Sequence, residues 1–383
     1  MSRMLLPLAL IAAAALAPAD GLAQANTFGT VGLGRPVRPL DARSRAMGGS
    51  AVALHGGNLS AINPASLARI NTPGIWATLQ PEKRTLTGEL ANGTVETAQF
   101  PLFRAALPVT NRITAAIAFG NFLDRNWTVQ FQDTLELTAD SIPFFETRNS
   151  DGGITQLRLE FGGVLSEKWT LGVGAQYYFG ETRLTVVRSF ERDLLGYRST
   201  TAVQYKGWGL TLGGEFQPVN ELIIGGVAGW GSKLDIRDDS TGAETTVDLP
   251  IALALGISWG AAPDLVVALS GGWVNWSALN EDFPEGGVAD SYRLGGGLEA
   301  RPLMGDTWAL FLRLGGSYEK YPFQLGGDAP WEKAAGLGAG MAFRGGRGRV
   351  DGSIEFGKRG DADTNGVEES FTRYTLSLAV FTS

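Results

Sequence analysis

Between Leu249 and Trp259 the residues fall into two rows. Leu249, Ile251, Leu253, Leu255, Ile257 and Trp259 form one row, and Pro250, Ala252, Ala254, Gly256 and Ser258 the other. Trp308, Leu310, Leu312, Leu314 and Tyr318 repeat the pattern, against Ala309, Phe311, Arg313, Gly315 and Ser317. A period of two predicts β-strands. The polar rows carry full charges: Arg158 and Glu160, Arg293, Glu299 and Arg301, Asp351 and Glu355. The apolar rows end in Trp or Tyr. An apolar face edged by aromatics and backed by a charged face predicts strands in lipid around a wet lumen. A water-soluble sandwich would need one dry core, and these apolar rows are too many and too aromatic for one.

The same alternation marks about fourteen segments: 74–87, 95–108, 112–137, 152–166, 168–190, 199–216, 220–238, 244–259, 264–278, 289–302, 306–320, 332–345, 348–360 and 369–382. Their connections alternate between short and long. Short ones include Thr110-Asn111, Ser166-Glu167 and Ala262-Pro263-Asp264. Long polar ones fall at 88–94, 138–151, 191–198, 238–243, 279–288, 321–331 and 361–368. Outer-membrane barrels combine short periplasmic turns, longer outer loops and an even number of strands. Segment 112–137 is therefore read as one kinked strand, broken at Gly120-Asn121, where a strand glycine marks a bulge. The expected fold is an all-β membrane protein, an antiparallel transmembrane barrel of about fourteen strands.

Residues 1–25 have a basic start at Arg3, an apolar run over Leu5–Leu16 and Ala23-Gln24-Ala25 as a small-x-small cleavage site. They read as a signal peptide. Residues 26–71 lack the two-residue period and suggest short helices near Ala42–Met47 and Pro64–Arg69. Fourteen strands would leave a hole unless something fills it. Segment 26–71 is therefore expected to be an N-terminal plug, ahead of a barrel at 72–383. The net charge of −7 argues against nucleic acid as a partner. The chain has no Cys and one His, His55, so metal sites built on these residues are excluded by count. No metal, cofactor or catalytic residue is expected. Loop acids Asp238, Asp239, Asp361 and Asp363 read as solvated. The glycine runs 295–297 and 336–340 lie inside strands and precede no helix, so they read as room in the lumen rather than phosphate cradles.

Ile142-Pro143-Phe144-Phe145 is an apolar knot in the polar loop 138–151. It either packs on neighbouring loops or, with Ile142, Phe144 and Phe145 exposed, forms a hydrophobic landing site.

Ala42-Arg-Ser-Arg-Ala-Met-Gly-Gly-Ser-Ala-Val-Ala-Leu54 is followed by Asn58-Leu-Ser-Ala-Ile-Asn-Pro-Ala-Ser-Leu67. This resembles the opening of FadL-type outer-membrane transporters for long-chain fatty acids and other hydrophobic compounds. Asn63-Pro64-Ala65 matches that family's hatch motif, and Ser66 stands where its pattern has Gly. By itself Asn63-Pro64 is a good helix start, Asn as cap and Pro in the first turn. The resemblance implies passive transport of fatty acids or aromatic hydrocarbons, ligand release beside Asn63, Pro64 and Ala65, and a lateral wall opening at Gly120 and Asn121. Hydrophobic small molecules and membrane lipid are the implied partners, and a monomer is expected. A secretion-associated relative, the PorV type, shares a similar opening. The alternative role is thus a secretion or assembly accessory that binds exported proteins through its loops.

Overall fold

The computed structural model describes residues 27–88, 92–137, 140–190, 195–281, 287–326 and 328–382. The signal peptide expected at 1–25 lies outside the described residues. From Gly74 onward the chain forms fourteen antiparallel staves. They are β1 (Gly74–Gly88), β2 (Gly93–Pro108), β3 (Ile113–Asp124 with Trp127–Leu137), β4 (Asp140–Val164), β5 (Trp169–Phe190), β6 (Tyr197–Val219) and β7 (Leu222–Asp238). The rest are β8 (Glu244–Asp248 with Ala252–Ala262), β9 (Leu265–Val274), β10 (Ser291–Met304), β11 (Trp308–Lys320), β12 (Trp331–Phe343), β13 (Gly348–Arg359) and β14 (Val367–Phe381). Strand β14 pairs with β1, Phe381 opposite Gly74, and closes the barrel. Closure leaves no open edge in lipid.

Burial separates the two faces as the alternation predicts. Leu253, Leu255, Ile257, Trp259, Leu312, Leu314 and Tyr318 are exposed on the outside. Glu160, Glu299, Arg313, Asp351, Glu355, Arg359 and Arg373 are buried in the bore. There they pair: Arg313 with Glu299 at 2.6 Å and Asp351 at 2.8 Å, Arg373 with Glu82 at 2.6 Å, Arg104 with Glu160 at 2.7 Å. An apolar belt round a closed barrel is the outer-membrane solution to spanning a bilayer with strands. The protein has the architecture of an outer-membrane barrel.

Segment 112–137 is one stave in two pieces, since both halves pair with β4. The pairing with β4 shifts register between Asn121 and Leu123, at the expected irregularity, while the strand itself is interrupted at Arg125-Asn126. The expected loop 138–151 is instead mostly strand. From Asp140 onward it continues β4, with Phe144 opposite Asp133 and Phe190. Polarity hid it, because its buried face carries Glu146 and Ser150 beside Ile142 and Phe144, and no apolar row results. Pro143 lies opposite Thr134 of β3. Stave β8 breaks at Leu249–Ile251, which turns Leu249 inward instead of into the outer row with Ile251. Strand β9 stops at Val274, short of the expected 278, and Trp276–Leu279 form a 3-10 turn with Trp276 buried.

Candidate functional site: the bore and its two wall contacts

Residues 28–70 run inside the barrel and are largely buried. Helix α1 (Ala42–Ala46) is capped by Asp41, whose carboxylate accepts from the Ser44 N–H. A side chain on the wall would collide with it. A Cβ at Gly315 would sit 2.6 Å from Gly48 N, one at Gly297 2.6 Å from Met47 Cα, and one at Gly338 2.5 Å from Ala46 Cβ. The lumen glycines are therefore the seat of this segment. Arg43 fixes the helix electrostatically. Its guanidinium grips Glu299 at 2.7 and 2.8 Å and donates to the carbonyls of His55 and Gly57.

Asn63 caps the 3-10 helix Pro64–Arg69, accepting from Ala65 N–H at 3.0 Å. Its amide also donates to Val52 O at 2.8 Å. This helix has its own glycine seat, with Gly162, Gly172 and Gly213 meeting Pro64 O, Ala65 N and Asn63 Oδ1. Asn63, Pro64 and Ala65 thus sit against β4, β5 and β6, away from Gly120 and Asn121 on β3.

Gly120 and Asn121 mark a seam in the wall. Strands β2 and β3 pair only from Phe103↔Phe119 to Pro108↔Thr114. Beyond Phe119 the ladder stops, while β3 stays bound to β4. A Cβ at Gly120 would meet Pro101 O at 2.1 Å, and Asn121 Oδ1 accepts from Phe100 N–H at 3.2 Å. Above them the free edge of β3 is taken from inside by the short strand Arg35–Pro36, which pairs with Asp124 and Leu123. Val37 N–H donates to Phe122 O at 2.8 Å. Arg35 lies 3.5 Å from Asp124 and 3.9 Å from Glu82, and Gln99 donates to Asp124 at 2.9 Å. The inner segment, not β2, therefore closes the seam.

Beside this closure lies a cavity of about 250 Å³. Val37, Phe122, Tyr178, Val227 and Trp276 supply its apolar surface, and Arg38, Arg158 and Arg293 supply cations. Phe122 and Tyr178 rings lie 4.5 Å apart. Sequence reasoning placed Arg158 and Arg293 on the lumen face. It had no signal for Phe122, Tyr178 or Trp276, because their meeting depends on how the inner segment folds.

Of the knot on β4, Ile142 and Phe144 are buried and only Phe145 is exposed, at 50%. Phe144 packs on the Phe190 ring, with the Arg188 guanidinium 4.2 Å above it. The three residues do not form one exposed patch. His55 meets Asn220 O at 3.0 Å beside the short β6–β7 turn, and burial, with Arg69 and Arg43 nearby, lowers its pKa. Asp361 caps the short helix Ala362–Asn365, and Asp238 is held by Ser240 and Thr241 of its own turn.

A family model described as BamG matches residues 1–223. The chain belongs to the BamG family. No curated protein matches this BamG-family chain. Among solved structures it is similar to a Pseudomonas aeruginosa FadL homologue, with TM-score 0.62 and 11% identity, covering 91% of this chain and 99% of that one. It is also similar to the Ralstonia pickettii toluene transporter TbuX, with TM-score 0.59 and 14% identity over 91% and 99% of the two chains. The Pseudomonas putida toluene transporter TodX gives TM-score 0.60 and 13% identity over 90% and 99%. At these identities the likeness is one of fold, so this BamG-family barrel has the FadL-type architecture.

Proposed function

We propose that this protein carries hydrophobic molecules, such as fatty acids or aromatic hydrocarbons, passively across the outer membrane. The observation that carries this is the half-open cavity between the inner segment and the wall, mostly apolar in its lining, with Arg38, Arg158, Arg293 and Glu319 as its charged residues. Burial of a chain there is worth about 0.8 kcal/mol per methylene. Arg38, Arg158 and Arg293 suit a carboxylate head.

Residues 26–71 act as a plug, seated on the two glycine patches. The release element is the stretch Leu33–Pro39, because it holds the free edge of β3. Its withdrawal opens the seam above Gly120 and Asn121 sideways into lipid, where an apolar solute prefers to be. Asn63, Pro64 and Ala65 anchor the far side of the plug against β4–β6, so that Leu33–Pro39 can move without the rest. Phe145 is the exposed remnant of the outer landing site. The barrel works as a monomer, without a cofactor.

Mass spectrometry of small molecules extracted from the detergent-purified barrel tests this reading. An acyl chain or aromatic hydrocarbon in near-equimolar amount is expected. Saturable binding of dansyl-undecanoate, weakened by Arg158→Met, is expected with it. A barrel that yields no hydrophobe, binds no probe and instead co-purifies with a tightly held protein overturns transport in favour of the accessory role.

A further inference from the structure

The wall ladder is interrupted a second time, between β7 and β8, five strands further round the barrel from the β2–β3 seam. Pairing runs up to Gly229↔Ala252 and resumes at Lys233↔Asp248. Between these points Trp230, Gly231 and Ser232 face Leu249, Pro250 and Ile251 outside the regular ladder. One backbone bond crosses the interval, from Leu249 N–H to Ser232 O at 3.1 Å. Pro250 has no N–H to give, so the break is written into the sequence. Interrupted pairing at the level of an apolar belt is costly unless it serves a purpose.

The side chains at the break are small on the inner face: Gly229, Gly231, Ala252 and Ala254. On the outer face they are large and apolar, with Leu210 at 42%, Trp230 at 41% and Leu253 at 47% exposure. Both sets border the same cavity that holds Arg158 and Trp276. Residues of both faces of β7 and β8 thus border one cavity, which reaches into the wall at the break. Leu249 is its inner flap. The break in β8 turns that side chain inward, and a Cβ at Gly231 would meet it at 2.2 Å.

We propose that this interruption is a second side passage, through which an unbranched alkyl chain moves between the cavity and the surrounding bilayer. The head group stays with the cavity arginines while the tail passes through the unpaired interval of Trp230–Ser232 and Leu249–Ile251, next to the last pair Gly229↔Ala252. The proposal deepens the transport reading and rests on the cavity being a hydrophobe site. It does not depend on the β2–β3 seam.

The chain has no cysteine, so single thiols report cleanly. Gly229→Cys points into the passage, with nothing nearer its Cβ than Thr211 Oγ1 at 3.7 Å. Ser270→Cys is a buried, inward-facing control on β9. Both variants, first verified as folded by their unboiled gel mobility, are placed in vesicles. N-dodecylmaleimide is supplied in the bilayer, with glutathione on both sides to consume reagent that enters water. Modification of the Gly229→Cys variant at least tenfold faster than that of the control is expected. Adding Gly272→Leu, which fills the inner side with its nearest neighbour at 3.5 Å, should bring the rate down to the control. Equal rates at the two positions, with dansyl-undecanoate binding intact, overturn the passage alone. Loss of probe binding in the unmodified protein overturns the transport reading beneath it.

Discussion

Gly315 and Gly316 are neighbours on β11 with opposite duties. A Cβ on Gly315 would lie 2.6 Å from Gly48 N and Met47 C and 2.7 Å from Ala46 O, all backbone atoms of the inner segment. To recover ordinary contact at 3.4 Å that backbone must retreat by about 0.8 Å. Valine, with two methyls beyond its Cβ, demands more. The helix cannot yield freely, since Arg43 is clamped to Glu299 on one wall and Gly48 is packed against Gly295 and Gly316. Overpacking of this kind costs about 1–3 kcal/mol. The barrel ladder itself is untouched, so the loss falls on seating of the plug. A Cβ on Gly316 meets only Ala334 O, at 3.4 Å, so Gly316→Ala is the control. In planar bilayers the unaltered protein and Gly316→Ala should stay closed to ions, while Gly315→Val shows frequent openings. Unboiled gel mobility should be equal in all three. A Gly315→Val barrel that stays as closed as the control would refute the idea that lumen glycines exist to seat the plug.

Arg43→Met should destabilise more, by about 3–5 kcal/mol, because Glu299 keeps only Arg313 in a buried setting; urea unfolding measures this. Asp124→Ala removes the partner of Arg35 and Gln99 and should raise the rate at which vesicle-bound dansyl-undecanoate exchanges through the barrel, without weakening its equilibrium binding. His55 has a lowered pKa in the folded state, from burial first and Arg69 and Arg43 after it. The unfolded chain therefore binds a proton more readily, so stability falls as pH drops through about 6.5 and is fully present above it. His55→Gln should flatten that slope in thermal melts at pH 5 and pH 8. Phe144→Ser, which removes a buried ring, should lower the melting temperature markedly. Phe145→Ser should leave it within about 0.5 kcal/mol of the original stability while reducing probe capture; equal thermal effects from the two would contradict their opposite orientation on β4.

The two-residue period by itself determined the solvent of each strand face, the number of staves and the alternation of short and long connections. This follows because alternation is imposed wherever one side of a strand meets hydrocarbon and the other meets water or charge. The glycine runs 295–297 and 336–340 also announced room in the lumen, since a strand without side chains on its inner face leaves space. The same logic failed where the constraint lapses. Residues 141–151 extend β4 with one face buried, but that face carries Glu146 and Ser150 beside Ile142 and Phe144, so no apolar row reveals it in the sequence. Leu249 was assigned outward because period two runs straight through Pro250, whereas the backbone break there resets the phase. The tertiary structure alone decided how the segment inside the bore is seated. It brought Arg35 to Asp124, residues 89 apart in sequence, and gathered Phe122, Tyr178 and Trp276 round one cavity. Such contacts depend on the path of an irregular segment through a barrel, and that path is set by shape and charge complementarity rather than by any repeat along the chain.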